Sequence, residues 1–174
     1  MTTVASGAGD VLWSLGFFAR FAWVIVLLSA LPAAQRIFAA LHPDDPRVYA
    51  WPLEALVGVL RIAAIVVVFW LGWRADAALR RPEVDSVGRV FGALVDYVRH
   101  DVGRLLVAAL VAGLVLVVLN LLGGPVVEAV VRQFSTDPRV AAAWSFGVRN
   151  LVTIPLFSTL AYGLLRPAFL APAG

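Results

Sequence analysis

At 174 residues, 61% hydrophobic and with a mean hydropathy of +0.90, the chain is far more apolar than a soluble domain, in which apolar residues make up about half. A net charge of +3 without blocks of like charge leaves no electrostatic footprint for nucleic acid. The absence of cysteine excludes disulfides, thiolate metal sites and a cysteine nucleophile. What remains is a single integral membrane domain with the lipid bilayer as its first partner. All 14 basic residues are arginine, a usage that goes with GC-rich prokaryotic genomes, so the expected location is the inner (cytoplasmic) membrane.

The pattern predicts an all-α membrane bundle of four transmembrane helices, at about 13–36, 53–73, 104–123 and 142–165. The first stretch also has the form of a secretory signal, with Met1 to Arg20 as its charged region and Phe21 to Leu31 as its apolar region. Pro32-Ala33-Ala34-Gln35 lacks a small-x-small cleavage pattern, so the segment is expected to stay as a span bent or ended by Pro32. Arg20 and Arg36 bracket 15 uncharged residues, about 22 Å of helix, and can snorkel toward opposite surfaces. The turn His42-Pro43-Asp44-Asp45-Pro46 follows. In the second span Arg61 lies about 12 Å from the start, near mid-hydrocarbon.

Between the second and third spans, apolar residues recur at Val84, Val87, Phe91, Leu94, Val95, Val98 and Val102 in steps of three, four and seven. This predicts an amphipathic helix at about 83–101, with Asp85–Arg89 and Asp96–His100 pairs on its polar side. Phe91, Leu94, Val95 and Val98 are its candidate anchors, for the membrane surface or for a docking partner. The third span contains the run Leu105 to Val127, without a charge, and is expected to end at Gly123-Gly124-Pro125 before a short interfacial helix over Val126 to Phe134. Within it Ala109 and Gly113, with Ala108 and Ala112 beside them, form a small-xxx-small packing face. Asp137-Pro138 is a helix-start signal, and the fourth span crosses Arg149 early and Pro155 midway.

Seven arginines flank one side of these spans and four the other, which predicts both termini and the amphipathic helix in the cytoplasm. Trp13, Trp70, Trp73 and Tyr162 form an aromatic belt at one interface, and Tyr49, Trp51 and Trp144 form one at the other.

Arginines inside apolar segments need partners, because an intramembrane charge costs from about 3 to above 10 kcal/mol depending on the scale. The intramembrane polar candidates are Arg20, Arg61, Arg149, Glu54, Glu128, Asn120 and Asn150. Glu54, Gly58 and Arg61 share one helix face, and the group can converge on a polar cavity that holds an anion between guanidinium groups. In the structural alternative Arg61 pairs with Glu128 or a helix carbonyl, while Arg149 snorkels. His42, Asp44 and Asp45 are an incomplete ligand set in a hydrated turn. No catalytic residue, metal site or cofactor is therefore expected. The leading expectation is a non-enzymatic accessory or regulatory subunit with a protein partner in the membrane. A homo-oligomeric transporter or channel for an anion or anionic lipid comes second, and a membrane-embedded lipid enzyme third.

Overall fold

The computed structural model describes residues 3–45, 47, 51–77, 84 and 87–170. Among these the chain is helical, at 90%, and no strand is present. Its elements are α1 (Thr3–Leu41), α2 (Trp51–Ala75), α3 (Val87–His100), α4 (Val102–Val131) and α5 (Pro138–Leu165), followed by a 3-10 turn at Arg166–Ala168. The shortest of the four long helices, α2 with 25 residues, extends about 37 Å and exceeds a hydrocarbon layer of about 30 Å. All four are long and apolar enough to cross a membrane.

The distribution of side chains differs from that of a soluble protein. Many buried positions are small or polar, among them Ala33, Ala108, Ala112, Ala141, Ala143, Ser14, Ser145 and Thr159, beside a smaller set of large residues such as Phe17, Ile25, Leu160 and Tyr162. Large aliphatic and aromatic residues such as Leu106, Leu110, Leu114, Leu121, Ile62 and Trp23 stand outside. Small residues between helices and large ones facing outward suit lipid, where close backbone approach rather than water exclusion drives association. The chain is a multi-pass membrane protein.

Two elements run further than the turn residues suggest. α1 continues through Pro32 and α4 through Gly123-Gly124-Pro125 to Val131, so neither the early stop nor the separate helix over Val126–Phe134 is present. In water, glycine and proline favour breaking a helix. In lipid each unpaired backbone group costs several kcal/mol, and losing the one bond that proline cannot donate costs less than opening the ladder. Gly124 also serves an approach, since a Cβ there would lie 3.3 Å from the Ser145 hydroxyl of α5. α5 begins with Pro138 in its first turn, where the Asp137 carboxylate caps it by accepting from Arg139 N–H at 2.8 Å.

Two compact units are distinguished: residues 1–20, 68–114 and 158–174 form the first, residues 21–67 and 115–157 the second. In the first, α1 meets α4 at Gly7, where a Cβ would come within 3.1 Å of Ala108 N and 3.2 Å of Arg104 O. α1 meets α5 at Gly163, where a Cβ would overlap the Ser14 hydroxyl and lie 3.1 Å from Asp10 O. Tyr162 is enclosed by Trp13, Phe17 and Phe69, with ring centroids 5.8, 6.4 and 5.3 Å away. α3 rests on the 3-10 turn through a cluster of Val84, Tyr97, Ala168 and Phe169, flanked by Trp73, Leu94 and Leu165. In the second unit α1 and α5 approach at Gly147, where a Cβ would overlap Ile37.

These contacts leave no room for added volume. Gly163→Val is expected to destabilise the protein by about 1–3 kcal/mol, seen as a lower thermal-unfolding midpoint in detergent. Adding Ser14→Gly should restore most of the loss. An unchanged midpoint for the single variant would refute the close approach.

Candidate functional site

The polar residues inside the membrane helices sort into groups according to what holds them. In the second unit, Asn120 of α4 donates from Nδ2 to its own Leu116 carbonyl at 2.8 Å, which leaves Oδ1 to accept from Arg149 Nε of α5 at 3.0 Å. Asn150 repeats the device: Nδ2 donates to the Phe146 carbonyl at 2.8 Å, and Oδ1 accepts from Arg61 Nη2 of α2 at 3.4 Å. Each amide is fixed by the carbonyl four residues back and presents its oxygen to a guanidinium on another helix. The second bond is long and correspondingly weak.

Four of the seven intramembrane candidates, Arg61, Asn120, Arg149 and Asn150, thus form two hydrogen-bonded pairs on three helices. A cavity of about 210 Å³ beside three of them is lined by Asn120, Phe146, Arg149, Asn150, Thr153 and Ile154. Among the described residues, no carboxylate lies within ion-pair distance of Arg61 or Arg149. An amide oxygen satisfies a donor but carries no charge to neutralise the guanidinium, so the arrangement retains positive charge that suits an oxyanion.

The other three candidates sit elsewhere. Glu54 accepts from Gln35 Nε2 of α1 at 2.8 Å and lies 3.9 Å from Arg36; its shared face with Arg61 therefore serves two different neighbours. Glu128 is 4.0 Å from Arg132, its own helix neighbour. Arg61 accordingly meets Asn150 in place of the expected Glu128 or helix carbonyl. Arg20 is exposed on α1 in the first unit. His42 Nδ1 is within 3.2 Å of the Phe38 carbonyl and its ring stacks on Phe38. Asp45 accepts from Arg47 N–H at 2.9 Å. Among the described residues no group of three or more metal-ligating side chains gathers.

The anchors on α3 divide. Leu94 packs into the cluster beneath the helix, Val95 is half-buried, and Phe91 and Val98 are 69% and 46% exposed. Only the last two remain available for lipid or a partner. His100 Nδ1 lies 2.8 Å from the Asp96 backbone carbonyl, which replaces the expected side-chain pairing; Asp85 lies outside the described residues. Burial pushes the Tyr97 phenol above its ordinary pKa, against the opposing pull of the Arg104 charge, so Tyr97 belongs to the packing as a neutral group.

The most buried charges of the first unit are two aspartates absent from the sequence-based candidates. Asp10 of α1, 4% exposed, accepts from Arg104 Nε and Nη2 of α4, both at 2.8 Å. Asp76, also 4% exposed, follows α2 directly and accepts from Arg166 Nε at 3.0 Å and Nη2 at 2.9 Å. Tyr162 Oη donates to the same carboxylate at 3.1 Å, and the Arg166 guanidinium lies 4.3 Å over the Trp13 ring. Tyr162 is thereby 1% exposed, a core residue and not part of an aromatic belt. A signal for these pairs was present: an acid borders each of the first two apolar segments, an arginine borders each of the last two, and the four-span reading puts all of them on one side.

The chain matches no protein-family model, no curated protein and no solved structure.

Asp76→Ala would remove the counter-charge of Arg166 and the carboxylate that accepts from the Tyr162 hydroxyl, and is expected to destabilise the protein by about 3–5 kcal/mol. Asp76→Ala with Arg166→Leu should recover part of that loss, because the stranded charge is then gone. Equal unfolding midpoints for the two variants would argue against a coupled pair.

Proposed function

We propose that the protein is a small non-enzymatic membrane subunit that packs beside a larger membrane assembly as an accessory or regulatory component. The observation that carries this reading is the two-sidedness of α4. Ala108 and Ala112 are buried, and Ala108 meets Gly7 of α1. Ala109 is exposed, and a Cβ added at Gly113 would meet no atom within 4 Å. The small-xxx-small spacing at Ala109 and Gly113 therefore points away from the described helices, flanked by exposed Leu106 and Leu110. Such spacing lets a second helix approach closely, where dispersion contacts and weak Cα–H hydrogen bonds operate without a hydrophobic driving force. Exposed Phe91 and Val98 on α3 are a further apolar surface. The arginine bias supports cytoplasmic termini, with α3 on that side.

A homo-oligomeric transporter or channel for an anion or anionic lipid is the second reading, favoured by the two guanidinium groups that no described carboxylate neutralises.

As a subunit, the tagged protein should co-purify in mild detergent with a larger membrane partner. Gly113→Leu should reduce that partner several-fold without lowering the unfolding midpoint, since no described side chain occupies the space. Purification of the wild type as a clean monomer would refute the proposal. For the second reading, anion flux in proteoliposomes should collapse on Arg61→Ala, and unchanged flux would remove Arg61 from any path.

A further inference from the structure

Arg149 is hydrogen-bonded through a single nitrogen, and its guanidinium lies 6.0 Å over the Phe146 ring. Its Nε donates to Asn120 Oδ1, while neither terminal nitrogen has a partner among the described residues. A guanidinium fixed at Nε keeps its orientation yet retains the paired terminal N–H groups that engage two oxygens of one phosphate. One turn further along α5, Thr153 lines the same cavity, and its hydroxyl makes no hydrogen bond to a described group. Behind Asn150, Arg61 contributes a second positive charge, and its buried Nε has no hydrogen-bond partner.

The surroundings also select. Phe146 and Ile154, which line the cavity, are 55% and 40% exposed, so apolar surface adjoins the charged group. An anion entering there exchanges hydration for the Arg149 guanidinium, with the Arg61 charge behind Asn150, in a medium of low dielectric, where the attraction is much stronger than in water. The same charges left alone in lipid would be costly.

We propose that this cleft between α4 and α5 is a binding site for a phosphate-type oxyanion, contacted by Arg149 and Thr153. Asn120 holds Arg149 in place, and Arg61 and Asn150 act as positioning residues behind it. The inference deepens the anion reading above by naming the ligand chemistry. It rests on that reading for the residues alone and requires neither transport nor a protein partner. The phosphate can belong to a lipid headgroup or to the free ion.

The test uses the delipidated full chain. In one arm it is reconstituted into nanodiscs of phosphatidylcholine alone or of equal parts phosphatidylcholine and phosphatidylglycerol, and bound lipid is counted by native mass spectrometry after release. In the other, inorganic phosphate is titrated in detergent while the unfolding midpoint is followed. Retained phosphatidylglycerol with no response to phosphate identifies a headgroup site; a saturable response to phosphate identifies an ion site. In either case Arg149→Gln should weaken binding about tenfold or more. Arg149→Lys, which keeps the charge but loses the fork, should weaken it less, and Asn120→Ala should weaken it with Arg149 intact. Arg132→Gln, removing an exposed arginine just after α4, should bind as the wild type does. If neither probe binds, or if Arg149→Gln and Arg149→Lys both bind like the wild type, the site is refuted. Loss of flux with binding retained would refute transport alone.

Discussion

The carboxylate of Asp76 is the group on which the first unit depends. Its oxygens accept from Arg166 and from Tyr162, and those partners carry the rest. Tyr162 occupies the space between Trp13, Phe17 and Phe69, against Gly72, where a Cβ would overlap its ring. Arg166 stacks on Trp13 and opens the 3-10 turn whose residues support α3. Fixing one buried anion thus fixes α5 against α2, α1 against the end of α5, and the seat of α3. A buried pair of this kind adds little net stability relative to apolar residues of the same shape, but losing one partner is expensive, because the other stays desolvated.

Asp10 and Arg104 apply the same constraint between α1 and α4. The acids lie on α1 and just after α2, while the arginines lie in α4 and just after α5. Bringing the two acids or the two arginines together would place like charges in a low dielectric, so the charge assignment disfavours that pairing. Gly7 and Gly163 then permit the approach that short ion pairs and tight helix contacts need. Electrostatics selects the neighbour, and small side chains set the distance.

The existence of four apolar helices was legible because 20 or so apolar residues in water have few alternatives. Their ends were less so. Gly123-Gly124-Pro125 looks like punctuation only when water can take over the freed carbonyls, and α4 continues because lipid cannot. The axial position of Arg61 along its helix was readable, since it follows from residue number and rise. Its partner was not, because Asn150 is 89 residues away, and which faces meet depends on how three helices turn toward one another. Asp10 and Asp76 escaped attention for a related reason: charges at the borders of apolar runs are ordinary, and only their burial makes them unusual. Tyr162, at a belt position by sequence, proved to be a core residue because its hydroxyl had a carboxylate to meet.

The two kinds of arginine partner separate scaffold from site on physical grounds. Where a carboxylate answers a guanidinium, as at Arg104 and Arg166, charge and hydrogen bonding are satisfied together and little remains to attract a ligand. Where an amide answers it, as at Arg61 and Arg149, direction is specified while the charge persists. Replacing those asparagines by aspartate would lower the cost of each arginine and remove its capacity to hold an anion. Retaining a neutral amide beside an intramembrane cation is a poor solution for stability alone and a suitable one for the proposed binding, since it orients the donor and leaves the charge balance open to a ligand.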